Sequence, residues 1–469
     1  MVRALGRISP RLGLILLLSA GLRLGAAVYL GDEVVSLPGT ADQVSYHALA
    51  LRVLGGHGFT FGQNWWPATA AGEPTAHWSY LYTAYLAGVY AIFGPHPIAA
   101  RLIQALIVGL AQPYLAYRLA AQLKSRRPAE ASWPWGHETV PLLAAAITAG
   151  YLYFVYYAAS LMTEAFYITA LLATLSLALS LARLPAGQPI ARPALALGLA
   201  LSVAVLLRQL FLLLAPLLFL WLLWAARQRG ALRPAAAAVL LASAVLLGSI
   251  LPLTAYNYSR FGRFVLLNTN AGYAFFWGNH PSYGAEFVPA SEMGDSYQAL
   301  IPADLRGLDE AALDQELLKR GIGFALDEPG RYLALSLSRV PEYFKFWPDP
   351  NSSRLSNLSR LGSFAALLPL MLYGLLRPWF SRRPGGEGWR IRPPDAPYLL
   401  LYAFSLAYTA IHLLTWAQIR YRLPVDAILV IFAGLAATEA LTAAAGWQRG
   451  RRPERVREGG GLQEAPRRP

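Results

Sequence analysis

The chain has no cysteine among its 469 residues, so a disulfide, a thiolate metal site and a thiol nucleophile are all excluded. Charge is scarce as well: 14% of the residues are Asp, Glu, Lys or Arg, against 56% hydrophobic. With a positive mean hydropathy, that balance excludes an ordinary soluble domain and places the chain among polytopic membrane proteins. There is no Gly-rich phosphate loop, no nucleophile elbow and no metalloprotease helix. No fixed-period repeat is visible either, which argues against the inverted halves of many transporters. What is present is a basic surplus of 40 Lys and Arg over 26 acids, a net +14. The basic residues cluster between apolar stretches, which is a topology signal and not the footprint of a nucleic-acid partner.

Apolar stretches of spanning length lie near residues 12–30, 97–123, 139–158, 164–183, 193–207, 209–226, 234–254, 361–377, 397–416 and 424–443. Alternate connections carry Lys124, Arg126 and Arg127; Arg183 and Arg192; Arg227, Arg229 and Arg233; and Arg377, Arg382, Arg383, Arg390 and Arg392. Both ends are basic too, with Arg3, Arg7 and Arg11 at the start and Arg449 to Arg457 near the end. The positive-inside rule then places both termini in the cytoplasm, in keeping with ten spans. The three early arginines before an apolar run also suit a signal peptide, but the run continues past Arg23 to Leu30, the length of a retained first span.

The expected fold is an all-α integral membrane bundle of about ten transmembrane helices. It has interfacial helices in a first outer loop, 31–96, and a small outer subdomain, 255–360. Residues 1–254 form the N-terminal membrane region including that loop, 361–445 the C-terminal spans, and 446–469 a disordered basic cytoplasmic tail. In the outer segment, "DEAALDQELLKRGIGFAL" and "RYLALSLSRVPEYFKFW" read as amphipathic helices, whereas "FGRFVLLNTNAGYAFFWGNHPSYG" is aromatic and turn-rich.

Chemistry-bearing residues gather at the ends of spans on the outer side. In "TADQVSYHALALRVLGGHGF", Thr40 and Gln43 form the pattern of a capping box for a helix starting at Ala41. Asp42 then lies in the first turn, and a helical period puts it on one face with Tyr46, Leu49 and Val53. An acid in a first turn also simply complements the helix dipole. His47 and His57 lack metal-ligand spacing and read as interfacial. Glu164 stands at the outer end of the fourth stretch, where a carboxylate is costly unless a polar cavity or a cap from Ser160 or Thr163 receives it. Arg208 interrupts an apolar run, and Arg420 and Arg422 sit in a very short outer turn. Outward arginines run against the topology bias and ask for an anion, either lipid headgroups or a bound phosphate that guanidinium grips bidentately. Asp426 follows Arg422 by four residues and reads as its structural partner. Trp65, Trp66, Tyr273 and Trp277 suit either stacking on sugar faces or an outer aromatic belt.

A series of segments resembles the polytopic GT-C glycosyltransferases of the family 39-like group, which includes protein O-mannosyltransferases and the aminoarabinose transferase acting on lipid A. The series runs "DQVSYHALALRVLGGHGF", "PTAHWSYLYTAYLAGVYAIFG", "RLIQALIVGLAQPYLAYRLA", "TEAFYITALLATLSLAL", "LLRQLFLLLAPLLFLWLL", "NYSRFGRFVLLNTNAGYAFFWGNHPSYG" and "RYRLPVDAILVIFAGLA". The resemblance implies that Asp42 and Glu164 are the family's two acids. It implies a polyprenyl-phosphate sugar as donor, an acceptor of undetermined kind, and an active site facing outward from the plasma membrane. Arg208, Arg420, Arg422 and His77 fall to the donor phosphate, and Tyr46, Tyr82 and Asn279 to the lining of the substrate site. No cofactor is evidently required; a divalent metal at the leaving phosphate is compatible with the chemistry, but no dedicated ligand set is visible. The chain departs from the pattern at Trp78, Ser79 and Tyr80, where relatives carry a basic residue and two prolines, and at Tyr256, where they often carry Arg.

Two functions follow as expectations. In the first, Asp42 supported by Glu164 accepts the proton of an acceptor hydroxyl that attacks the anomeric carbon, giving inversion. The alternative is a transporter or flippase holding a lipid-linked phosphate with the same arginines, which predicts mid-membrane polar residues and discontinuous helices.

Overall fold

The structure, a computed structural model, describes residues 8–36, 39–123, 135–185, 187–288, 296–350, 352, 354–382 and 388–450. Arg3, Arg7, Lys124, Arg126, Arg127, Arg383 and the part of the expected tail beyond residue 450 lie outside the described residues. Residues 446–450, expected in that tail, belong to the last helix, which runs Leu423–Gly450.

The apolar stretches become helices because nothing else satisfies backbone N–H and C=O groups in hydrocarbon. Eight helical stretches are long and apolar enough to cross a membrane. They are α1 (Pro10–Leu30), α4 (Pro97–Ala121), α7 (Glu164–Ala182), α9 with its lead-in turn (Gln209–Arg227), α10 (Leu232–Phe261), α14 (Arg354–Trp379), α15 (Ala396–Leu414), and α16 with its lead-in turn (Ile419–Ala445 of the last helix). A ninth is a pair, α5 (Thr139–Gly150) and α6 (Leu152–Ala159), bent by 53°. The seventeen-residue α8 (Ala191–Leu207) completes the set that coincides with the ten apolar stretches. The chain is a multi-pass membrane protein of all-α class; the described residues add a two-stranded hairpin, β1 (Phe380–Arg382) with β2 (Trp389–Ile391), in a basic connection.

The bend between α5 and α6 frees carbonyls that lipid cannot satisfy. Fully buried Arg23 on α1 fills that need, donating from Nη2 to Thr148 O at 3.1 Å and from Nη1 to Ala149 O at 3.0 Å. Its Nη1 also donates to Ser19 Oγ at 2.7 Å. α1 reaches this position because Gly109 of α4 faces it: a Cβ there would stand 2.9 Å from Ala20 Cα.

The first long loop, 31–96, holds α2 (Asp42–Leu54) and α3 (Tyr80–Phe93). At ~1.5 Å per residue α3 falls well short of a ~30 Å hydrocarbon core, so it is not a full span. Its start is capped by Ser79, whose Oγ accepts from Tyr82 N at 3.2 Å. α2 begins one residue later than expected, and the capping box does not form. Its N-cap is Ala41, and Gln43 turns back to donate from Nε2 to Val35 O at 2.7 Å. The buried amide serves the entering chain instead of the helix end. The helical faces are as the period requires, with Tyr46 and Leu49 buried and Leu51 and Leu54 exposed.

In the segment 255–360, α11 (Ala271–Asn279) and α12 (Glu310–Asp327) pack around a small core of Tyr273, Phe276, Trp277, Ile301, Leu305, Leu313 and Leu317, and α13 (Pro329–Tyr343) joins the end of α11 through Arg339 and Asn279. α11 lies within the stretch that reads as turn-rich. Its N-terminal amides, Gly272 and Tyr273, donate to Asp314 Oδ1 at 2.8 and 3.2 Å. One turn earlier on α12, buried Glu310 ties this unit to the first loop. It accepts from Thr69 Oγ1 and Thr269 Oγ1 at 2.5 Å each and from Ala76 N at 2.8 Å.

Candidate active site

Four connections meet at one end of the bundle: the entry to α2, the turn before α7, the break after α8 and the turn before α16. Each brings one charged residue identified from sequence to a common point. Asp42 opens α2, and Glu164 opens α7. Arg208 follows α8 in an extended conformation, φ −146° and ψ 103°, which ends the helix and sends its side chain sideways. Arg420 lies in the single turn Ile419–Arg422.

The four form a neutral quartet. Arg420 Nη1 stands 2.7 Å from Asp42 Oδ2 and 3.8 Å from Glu164 Oε1, so one nitrogen lies between the two acids. Arg208 pairs through Nη2 with the same Glu164 Oε1, and its Nε donates to Thr163 Oγ1 at 3.3 Å. Thr163 therefore serves the arginine, and at the N-cap position of α7 its side chain makes no capping hydrogen bond. Glu164 is 2% exposed and Asp42 30%, so the first is a buried anchor and the second is open to an incoming group. Tyr421 receives both guanidiniums, 5.3 Å from Arg208 and 5.2 Å from Arg420 to its ring centroid. Gln418 Oε1 accepts from Arg420 Nε at 2.8 Å. Sequence reasoning missed Tyr421 and Gln418; the signal was their place beside Arg420 in "QIRYR".

Beneath Asp42, Tyr46 begins an aromatic wall. Its ring meets Trp78 edge-on at 5.4 Å; Trp78 meets His77 at 5.1 Å, and His77 meets Trp66 at 5.4 Å and Tyr273 at 5.7 Å. Trp66 stacks on Trp277 at 5.7 Å, with 42% of its own surface exposed. Trp65 points elsewhere, stacked on Phe61 at 4.4 Å with its indole N–H on Ser45 Oγ.

Three residues do not join the quartet. Arg422 is fully buried, with Nε 3.0 Å from Asp426 Oδ1 and Nη1 donating to Tyr343 O at 3.0 Å. Two residues along a tight turn from Arg420, it faces the opposite way, into a structural ion pair that Tyr151 also joins through Asp426 Oδ2 at 2.7 Å. His77 belongs to the aromatic wall, its Nδ1 bonded to Thr269 O at 3.2 Å. Burial lowers its pKa from the usual 6.5, which disfavours a positive charge on it. Asn279 is buried at the end of α11, its Oδ1 accepting from Arg339 Nη2 at 2.9 Å. Tyr82 supports Tyr46 from below at 4.9 Å, and its hydroxyl donates to Gln104 Oε1 at 2.8 Å. Tyr256 packs edge-on against Phe59 and Tyr80, away from the quartet.

Two carboxylates at the same end of a bundle are also a partial metal site. The residues do not fit one here: both acids already carry guanidiniums, and no group of three or more His, Asp or Glu residues converges among the described residues.

No protein-family model matches the chain, and no curated protein matches it in sequence. Solved structures do. The oligosaccharyltransferase AglB of the archaeon Archaeoglobus fulgidus, in complex with an inhibitory peptide and a dolichol-phosphate, matches with a TM-score of 0.56 at 13% identity over 96% of this chain and 52% of that one. The same enzyme in complex with Zn and sulfate matches with a TM-score of 0.53 at 13% identity over 93% and 51%. ArnT of Cupriavidus metallidurans bound to undecaprenyl phosphate reaches 0.35 at 15% identity, a likeness too weak to carry an argument. The chain spans about half the length of the oligosaccharyltransferase it matches. The likeness is one of fold, the polytopic, all-α GT-C-type bundle expected from the sequence.

Proposed function

We propose that the chain is an inverting membrane glycosyltransferase that moves a sugar from a polyprenyl-phosphate donor to an acceptor hydroxyl, with the quartet facing the outer side of the plasma membrane. The observation that carries the reading is the convergence of Asp42, Glu164, Arg208 and Arg420 from four distant connections at one end of a GT-C fold. Residues 1–254 then supply most of the catalytic centre, 361–445 close it with Arg420, and 255–360 roof it.

The chemistry balances on these groups. The acceptor oxygen attacks the anomeric carbon on the face opposite the phosphate, and its proton passes to the Asp42 carboxylate. The bond from that carbon to the phosphate oxygen breaks, and the electron pair stays on the polyprenyl phosphate. Arg208 and Arg420 stabilise that growing charge more than the ground state, which lowers the barrier. A donor phosphate drawing Arg420 toward itself also loosens its hold on Asp42, freeing the base as the donor arrives. Glu164 keeps both arginines aimed.

The bent pair α5–α6, with Arg23 buried at its break, is the discontinuous helix that a transporter would need. Two of its freed carbonyls, Thr148 O and Ala149 O, are already taken by Arg23, however, which weighs against a ligand site there. Mass spectrometry of glycolipids and glycoproteins from cells with and without the gene tests the reading. A sugar that disappears names donor and acceptor together. Transport of a labelled lipid phosphate by the purified protein with no glycosylated product would replace the enzyme reading.

A further inference from the structure

Arg420 Nη1 lies 2.7 Å from Asp42 Oδ2 and 3.8 Å from Glu164 Oε1, the position from which a divalent cation would bridge two carboxylates. The guanidinium is fixed there from behind, by Gln418 Oε1 at 2.8 Å from Nε and by the Tyr421 ring. Arg208 adds a second cation on Glu164. Two acids and two arginines leave no net negative charge to draw a metal. An ion placed between the acids would meet both guanidiniums at close range, and room for it appears only if Arg420 abandons Gln418. The oligosaccharyltransferase with which the chain shares its fold has been captured with Zn and sulfate; the carboxylates of this chain are already occupied.

We propose that Arg420 is a tethered substitute for a bridging divalent cation, so that the centre works without metal and becomes a metal site only when this guanidinium is removed. The proposal rests on the glycosyltransferase reading for its catalytic consequence, but its binding consequence stands apart from it. A guanidinium can do the cation's electrostatic work at a leaving phosphate: it is permanently charged and meets two oxygens at once. Glu164 Oε2, buried and without a hydrogen-bond partner, is the atom a metal would recruit once Arg420 is gone.

The test uses tag-free, full-length protein in detergent, titrated with Mn²⁺ and followed by the loss of the free Mn²⁺ electron paramagnetic resonance signal. Wild type is expected to bind no Mn²⁺ that depends on Glu164. R420Q is expected to gain one equivalent, with affinity raised at least about tenfold over wild type and lost again in R420Q/E164Q. R420K, which keeps a cation in place, should stay metal-blind, and a thermal melt of each variant shows that it is folded. One equivalent of Mn²⁺ on wild type that weakens in E164Q overturns the proposal, and so does a folded R420Q that gains no affinity. In membranes, transfer that survives EDTA supports the proposal; transfer abolished by EDTA and restored by Mn²⁺ overturns it. If no transfer is seen with or without EDTA, the glycosyltransferase reading fails, while the binding titration still decides the metal question.

Discussion

Replacing Asp42 by Asn separates the proposed base from the scaffold. The substitution keeps size and shape, and an amide oxygen can still accept from Arg420 Nη1, now 2.7 Å from Asp42 Oδ2. The lost charge weakens one ion pair. In isolation that pair is worth ~6 kcal/mol at an effective dielectric near 20, but Asp42 is 30% exposed and solvent screens it. Arg420 also keeps Gln418 at 2.8 Å and Glu164 at 3.8 Å. The net cost to folding is therefore about 1 kcal/mol, a shift of ~1 to 2 °C in the melting temperature of a chain this long. Loss of a general base costs much more in rate, roughly 10²- to 10⁴-fold, or about 3 to 5 kcal/mol on the barrier. The assay is transfer of labelled sugar in membranes containing equal amounts of wild-type and variant protein, with melts of both in detergent. The expected result is near-normal melting with kcat reduced by at least about a hundredfold and little change in the KM for the donor. A variant that turns over within about threefold of wild type would refute the role of Asp42 and the mechanism built on it.

Glu164→Gln should behave differently, because its carboxylate is 2% exposed and anchors two arginines. Stability should fall by about 2 to 4 kcal/mol together with activity, and a melting temperature unchanged from wild type would contradict the anchoring role. Glu310→Gln should weaken the junction of α12 with the first loop by about 2 kcal/mol, since its carboxylate takes hydrogen bonds from Thr69, Ala76 and Thr269. Faster hydrogen exchange confined to residues 68–76 and 269–279 is the expected signature, and exchange equal to wild type would rule it out. Asp314 predicts a pH dependence of the same junction. Burial pushes its pKa up to about 7 from 3.8, although the Tyr273 and Gly272 amides oppose the shift and Glu310 adds to it. Between those values the folded form holds a proton that the unfolded form has released. The packing of α11 on α12 should therefore loosen as pH rises from about 4 to 7 and change no further above that. Asp314→Asn should flatten the profile, measured by protease sensitivity of the outer segment; an unchanged slope would exclude Asp314 as its source.

Much of the architecture was legible because membranes tie sequence to structure tightly. A run of about twenty apolar residues has one stable form in lipid, so the positions of the ten stretches could be read directly. Charges inside or beside such runs are costly, which is why Glu164, Arg208 and Arg420 stood out; Asp42 stood out through the family resemblance. The finer choices were not legible. Thr40 and Gln43 fit the capping pattern, yet Gln43 serves Val35 O, because a buried side chain follows its tertiary surroundings. The bend at Gly150 carries no proline, and it depends on Arg23, more than a hundred residues earlier.

The sequence by itself determined the membrane class, the apolar stretches and the basic connections between them, and it marked Glu164, Arg208 and Arg420 as charges costly beside lipid, while Asp42 was singled out by the family resemblance. Only the tertiary structure decided that these four meet, and that Arg420 faces the acids while Arg422, two residues on, turns to Asp426. It also decided that His77 joins an aromatic wall and that Asn279 holds Arg339 where α11 meets α13. Proximity between residues hundreds of positions apart depends on how helices pack, and packing is set by many small steric fits at once. No single stretch of sequence records it.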